Sequence, residues 1–405
     1  MQRSIFHYLA ALLLTISFIQ ESDAARTGSP GTDLSENITP VLLFLSGDVM
    51  LGRAIDQVLP YSNDPELFEP HIRDARAYIS LAIKANGPLL KPVDCNYIWG
   101  DALDILDTFK PDVRIINLET SITLSNAHWK KKHIHYRMHP KNTACLTLAK
   151  IDVTSLANNH VHDWGYAGLA ETLFTLEQAG IKFTGSGRNA RAASRPSIID
   201  LNSKGRVIVS SWATADSGTP PDWAATDYKP GVNRLSSLSM QAVRRIGSII
   251  KPVKQPGDIA VVSIHWGGNW GYEIPLEQSA FAHHLIDEAD IDVVHGHSSH
   301  HVKGIEVYKD KLIIYGSGDL LNDYEGIGGH DNYRADLSLM YFASVNPATG
   351  KLVQLQMAPT QIRNLKINKA DKNDALWLRD MLNRESKESG VRVELDTNGD
   401  LLLQK

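Results

Sequence analysis

Two stretches of this chain have the rhythm strand, helix, strand, and that rhythm restricts the fold more than any other feature. In the first, Ile151–Ser155 reads as a strand, and residues 166–179 carry Leu169, Leu173, Phe174 and Leu176 at helical spacing. Gly180 stops the helix, and Ile181–Thr184 resumes an extended pattern. In the second, Ile259–Ile264 precedes a helix over 277–289 with Phe281, Leu285 and Ile286 inward, and Ile291–Val294 follows. Connections of this length join parallel neighbours, so the chain is predicted to be α/β. Val41-Leu-Leu-Phe-Leu45, Val113–Ile116, Val207–Trp212 and Leu312–Tyr315 read as further strands. Residues 54–110 read as two mostly helical stretches, parted at Gly87-Pro88 and Lys91-Pro92. The tail adds strands Leu337–Val345 and Lys351–Gln356 and a helix over 371–386.

The N-terminus has a different character. Arg3 supplies a positive start, Leu9–Ile19 an apolar run, and Ser22-Asp23-Ala24 a small-x-small pattern. The run is short of the ~20 apolar residues that span a bilayer. Residues 1–24 are therefore expected to be a signal peptide cut after Ala24, with 25–39 a linker; an uncleaved anchor is the alternative. Export permits disulfides. Cys95 and Cys145 could form one bridge or remain two buried thiols, and neither belongs to a C-x-x-C zinc motif.

The chemistry-bearing residues recur at one kind of place. Asp48, Glu119, Asn159, His160, His265, His297 and His300 each lie just past an apolar strand. In α/β sheets ligands bind at the carboxyl ends of the strands. Each residue alone has a bland explanation: Asp48 as a helix cap, Glu119 as a first-turn acid, Asn158 and Asn159 as turn formers. Together they form a mixed oxygen and nitrogen donor set that suits Zn²⁺, Mn²⁺ or Fe, whereas Ca²⁺ prefers oxygen alone. The densest stretch is Ser155-Leu-Ala-Asn-Asn-His160-Val-His162-Asp163-Trp-Gly165, at a strand-to-helix turn.

The motifs Gly47-Asp-Val-Met-Leu-Gly-Arg53, Asn117-Leu-Glu119, Ser155-Leu-Ala-Asn-Asn-His160, Pro230-Gly-Val-Asn233, His265-Trp-Gly267 and Gly296-His-Ser-Ser-His300 occur in this order. The set resembles the CapA family of capsule (poly-γ-glutamate) synthesis proteins, a branch of the calcineurin-like metallophosphatase superfamily. The resemblance implies a four-layer αββα sandwich over residues 40–330, with 331–405 completing it. It implies a divalent metal site (Mn, Zn or Fe, one or two ions) with ligands Asp48, Glu119, Asn159, His265, His297 and His300. Glu119 would bridge, and His160 would protonate a leaving group with His162 and Asp163 behind it. Two departures stand out: Met50 occupies the place of a ligand His, and the final His pair is spaced by three instead of two.

Arg53, Arg137, Asn233 and Arg234 are candidate substrate contacts, and Lys130–Lys132 reads as a solvated loop. Trp223 and Tyr228 either line the cleft mouth or pack locally. A formal charge of −5 gives no global attraction for nucleic acid. The expected ligand is an anionic polymer or phosphoester, and the expected partners are membrane proteins of a capsule synthase. The expected location is the periplasm or cell surface. The sequence leaves two functions open: a metal-dependent hydrolase, or a polymer-binding scaffold that does not cut.

Overall fold

The first strand, Val41–Val49, is buried along nearly its whole length and organises the molecule. The computed structural model describes residues 39–89 and 93–404, so the expected signal peptide, its cleavage site and nearly all of the linker lie outside the described residues. Lys91-Pro92 lies outside them too.

Val41–Val49 sits in a ten-stranded mixed sheet. On one side it pairs in parallel with Val113–Leu118, which pairs with Val153–Ser155 and then Lys182–Thr184. On the other it pairs antiparallel with Leu337–Val345, which leads to Leu352–Ile362 and the C-terminal hairpin strands. A second sheet of six strands has Lys311–Ile314, Val293–His297, Ile259–His265 and Arg206–Ala213 parallel at its centre, flanked by antiparallel edges. Both expected strand–helix–strand units are present, with helices Gly165–Gln178 and Leu276–Glu288. Leu352–Ile362 runs six residues past the expected Gln356 because it pairs along its length with Leu337–Val345.

Side chains alternate between the faces of a strand, and that alternation builds three hydrophobic clusters. Leu43, Leu45, Val113 and Ile115 of the first sheet meet Val207, Val209, Ile259, Val261 and Val293 of the second. Phe44, Ile116 and Leu118 point the other way, onto Ile98, Trp99, Leu106 and Leu169 of the helices. Val262, Ile264 and Val294 likewise face Val243, Ile246, Phe281 and Leu285. Each such side chain is fully buried, which stabilises by ~1.5–3 kcal/mol relative to exposure. Cys95 and Cys145 are joined in a disulfide, tying helix Cys95–Trp99 to helix Ala144–Leu148. Among the described residues no helix is long and apolar enough to cross a membrane.

Candidate metal centre

The parallel strands of both sheets end at one edge, and their last residues converge there. Asp48 lies near the end of Val41–Val49, Glu119 directly follows Val113–Leu118, and His265 and His297 each close their own strand. Two groups of ligand atoms result, each lying within 4.8 Å of one another: Asp48, His265 and His297, and Asp48, Glu119, His300 and Asp319. Asp48 belongs to both. Asp319, which the sequence did not single out, opens the short strand Asp319–Leu321 beside Val41–Val49.

The wider spacing of the final His pair has a backbone cause. Ser298 adopts φ +100°, a region a non-glycine residue enters at a cost of ~1–3 kcal/mol. That turn lets both His297 and His300 reach the cluster. Met50 is buried, and its Sδ accepts from the Gly52 amide at 3.1 Å. Asp319 stands in the second ligand group with Asp48, Glu119 and His300.

The electrostatics favour a cation. Asp48, Glu119 and Asp319 are all buried. Burial, and then the Asp319 charge, push the Asp48 carboxyl up to about 7. Burial and the Asp48 charge hold Glu119 well above the usual carboxylate range. Burial pulls the His300 imidazole down, but Asp319 at 3.0 Å and the Asp48 charge together outweigh it and raise the pKa. His265 and His297 are held well below the usual imidazole range by burial, then by neighbouring histidines. Asp48 Oδ1 accepts from Asn117 Nδ2 at 2.7 Å, while its buried Oδ2 has no hydrogen-bond partner. An unpaired buried carboxylate oxygen costs more than ~1–3 kcal/mol. A divalent ion would satisfy it, and the oxygen and imidazole donors fit Zn²⁺, Mn²⁺ or Fe.

Asn158 and Asn159 divide their work. Asn158 forms the turn, donating to Leu118 O and accepting from the amides of His160 and Val161. Asn159 stands beside the ligand groups, its Oδ1 3.0 Å from His265 Nε2. His160 Nδ1 lies 2.7 Å from Asp163 Oδ2, and its Nε2 faces Glu119 Oε1 at 3.8 Å. Tyr136 stacks on the His160 ring at 3.9 Å. Asp163 also accepts from the Tyr136 amide and from Lys132 Nζ, so it orients the turn and does not cap the helix.

Several expected site residues lie elsewhere. His162 is caged by Trp129, Tyr166 and Trp223, away from the cluster, with neither ring nitrogen hydrogen-bonded. Burial lowers its pKa to about 4, so it is neutral. Trp223 thus packs locally, while Tyr228 is exposed. Arg137 is held by Ser125 O, Asn126 Oδ1 and Asp64 O and stacks on Trp164, so its donors serve the fold. Asn233 donates to Ser211 O and Arg234 to Thr219 O, fixing the loop. Lys132 corrects the solvated-loop expectation: its ammonium contacts Asn159 O, lies 3.0 Å from His160 Nδ1 and pairs with Asp163 at 2.6 Å. Lys130 and Lys131 are exposed as expected.

A cleft of about 600 Å³ opens beside His300, bordered by Tyr136, Trp270, Tyr324, Arg334 and Arg363. Arg53 reaches its wall, but the guanidinium is committed to Asp323 and Glu69 and lies over the Tyr78 ring.

Buried carboxylates and imidazoles gathered at strand ends define an α/β protein with a candidate divalent-metal centre. Residues 42–324 match the family described as "Bacterial capsule synthesis protein PGA_cap", and the chain belongs to that family. It is 44% identical over 361 residues to the "Probable polyglutamine synthesis accessory protein" of Mycobacterium tuberculosis, covering 89% of this chain and 95% of that one. It is 25% identical over 321 residues to the "Capsule biosynthesis protein CapA" of Bacillus anthracis, covering 78% of this chain and 66% of that one. The "PGA biosynthesis protein CapA" of Bacillus subtilis is 25% identical over 279 residues, covering 68% of this chain and 62% of that one.

Proposed function

We propose that this protein is an exported, metal-dependent hydrolase that serves the synthesis of a capsule or glutamate polymer. It cleaves an ester or amide bond in the anionic polymer or its precursor, beside membrane proteins of the synthase. The observation that carries this is the pair of ligand groups sharing buried Asp48, one completed by Asp319. Family membership and the names of the relatives supply the polymer. We read the helix, sheet, sheet, helix order of the hydrophobic clusters as the four-layer sandwich of the metallophosphatases.

Asp48, His265 and His297, and Asp48, Glu119, His300 and Asp319, would hold one or two divalent ions. Such an ion polarises a phosphoryl or carbonyl oxygen and acidifies water. The remaining chemistry belongs to the chain. Asp163 takes the Nδ1 proton of His160 in a hydrogen bond, so Nε2 carries a lone pair toward the cluster. That atom takes a proton from the attacking water and returns it to the leaving group. Tyr136 holds the ring plane, and exposed Arg363 at the cleft rim attracts an anionic chain. The Cys95–Cys145 bridge suits an oxidising compartment and supports export.

The test is elemental analysis of the gently purified protein, with hydrolysis of generic phosphoesters and of a γ-glutamyl polymer. Stoichiometric metal, and a fall of about 10²–10⁴-fold in rate for His160→Ala, are expected. Metal-free protein whose phosphoesterase rate is untouched by His160→Ala would overturn the proposal. Polymer binding without turnover would instead identify a non-catalytic scaffold.

A further inference from the structure

A line of hydrogen bonds runs from the backbone of the first strand to the candidate metal centre through residues with no assigned role. It begins at Ser46 O, 2.8 Å from His295 Nε2. A carbonyl oxygen only accepts, so His295 Nε2 carries a proton. His295 is fully buried and touches no carboxylate, so it is neutral and its Nδ1 is a lone pair. That lone pair accepts from Ser263 Oγ at 3.2 Å. The hydroxyl has one proton, now spent, so Ser263 Oγ accepts the next bond, from His297 Nε2 at 2.9 Å.

The consequence falls on the ligand. With Nε2 protonated, neutral His297 presents an Nδ1 lone pair, 2.8 Å from His265 Nδ1 and 4.0 Å from Asp48 Oδ1. From the other side, Asn159 Oδ1 accepts from His265 Nε2 at 3.0 Å, which leaves a lone pair on His265 Nδ1 as well. Two imidazole lone pairs and a carboxylate oxygen then converge with no proton among them, an arrangement that a metal cation relieves.

We propose that His295 and Ser263 are positioning residues that fix the tautomer of His297, so that Nδ1 is the atom it offers to a metal ion. The Ser46 carbonyl sets the direction of the whole line. The proposal rests on the metal-dependent function above, yet the tautomer itself can be read without metal. The partner that fixes a ligand histidine's tautomer contributes to affinity, and losing such a partner weakens binding by about 10–100-fold.

The experiment uses the full-length protein with ring-¹⁵N histidine, stripped of metal by chelation. Long-range ¹⁵N–¹H spectra report the tautomer of each ring, with His295 and His297 assigned from the signals lost in His295→Gln and His297→Gln. Protonated Nε2 on both rings is expected, and protonated Nδ1 on His297 overturns the proposal. Calorimetric titration with Zn²⁺ then compares wild type with Ser263→Ala and Ser263→Thr. The alanine variant should bind about 10–100-fold more weakly, with His297 in mixed tautomers, and threonine should restore both. Equal zinc affinity in wild type and Ser263→Ala overturns the proposal. Absence of zinc uptake by wild type with the assigned tautomers overturns the metal-dependent function and still supports the tautomer assignment.

Discussion

Asp48 and Asp319 are register partners in adjacent parallel strands, 271 positions apart in the chain and side by side at the site. The approach is close enough that the Asp48 amide donates to Gly318 O at 3.0 Å. It requires Gly47, since a Cβ there would sit 1.6 Å from that same oxygen. Asp319→Ala removes one donor from the second ligand group and leaves the Asp48–His265–His297 group complete. The expected outcome is loss of one of two bound ions, or, if a single ion is shared, a fall in affinity beyond the ~10–100-fold of losing an outer-shell partner. Elemental analysis and calorimetry check it. Unchanged stoichiometry and affinity would remove Asp319 from the ligand set.

The position of Asp319 also marks where sequence reasoning stops. Asp48, Glu119, His265 and His297 were legible because each follows an apolar run in a parallel sheet, and such a sheet places all its strand ends on one edge. Asp319 begins a three-residue strand whose partner lies far away in sequence, and no local pattern announces that pairing. Met50 is a poor ligand for a hard metal, and the carboxylate of Asp319 joins a candidate ligand group from far along the chain. Lys132 was hidden for a related reason: within Lys130–Lys132 composition is uniform, and only the chain's return past Asp163 distinguishes the third ammonium. The signal available was Asp163 itself, a buried acid in need of a cation.

Chelation should make stability depend on pH. The Asp48 carboxyl is raised from 3.8 to about 7, so below pH 7 the folded protein binds a proton that the unfolded chain releases near pH 4. Metal-free protein is thus stabilised fully below about pH 4 and loses that stability as pH rises to about 7. Each pH unit in this window is worth up to about 1 kcal/mol for the one group. With metal bound the carboxylate is deprotonated at neutral pH, so the slope should flatten and metal uptake should release protons. Thermal melts between pH 4 and 8, with and without chelator, test this. Parallel pH curves for the two forms would contradict it.

Lys132→Met should destabilise the fold and disorder the proton-handling histidine together. Burial lowers the Lys132 pKa and raises that of Asp163, and each charge opposes the shift in its partner. Removing one partner of a buried pair costs ~3–5 kcal/mol because the other charge is left uncompensated. The double change Lys132→Met with Asp163→Asn should recover part of that loss while His160 orientation stays impaired. Denaturant melts measure the first effect, and the rate per bound metal measures the second. A Lys132→Met protein within ~0.5 kcal/mol of wild type, the range of ordinary surface substitutions, would show that the pair is not energetically coupled.

The disulfide offers a test that does not touch the site. Cys95 and Cys145 are 50 residues apart, and the bridge joins two five-residue helices. Neither helix is long enough to persist alone, since isolated helices shorter than ~12–15 residues are marginal in water. Their order comes from packing on the first sheet, where Trp99 also donates to Cys145 O at 2.8 Å. Opening a loop of this length frees chain entropy worth ~4 kcal/mol in the unfolded state, within the ~2–5 kcal/mol usual for a native bridge. The double variant Cys95→Ser, Cys145→Ser should therefore lose about this much stability in denaturant melts. Its metal stoichiometry should stay unchanged, because the bridge lies on the helical face of the sheet and the ligands lie at its strand ends. If metal were lost along with stability, the helical face would be coupled to the strand ends through Val113–Leu118, which carries Ile116 on one face and leads directly into Glu119.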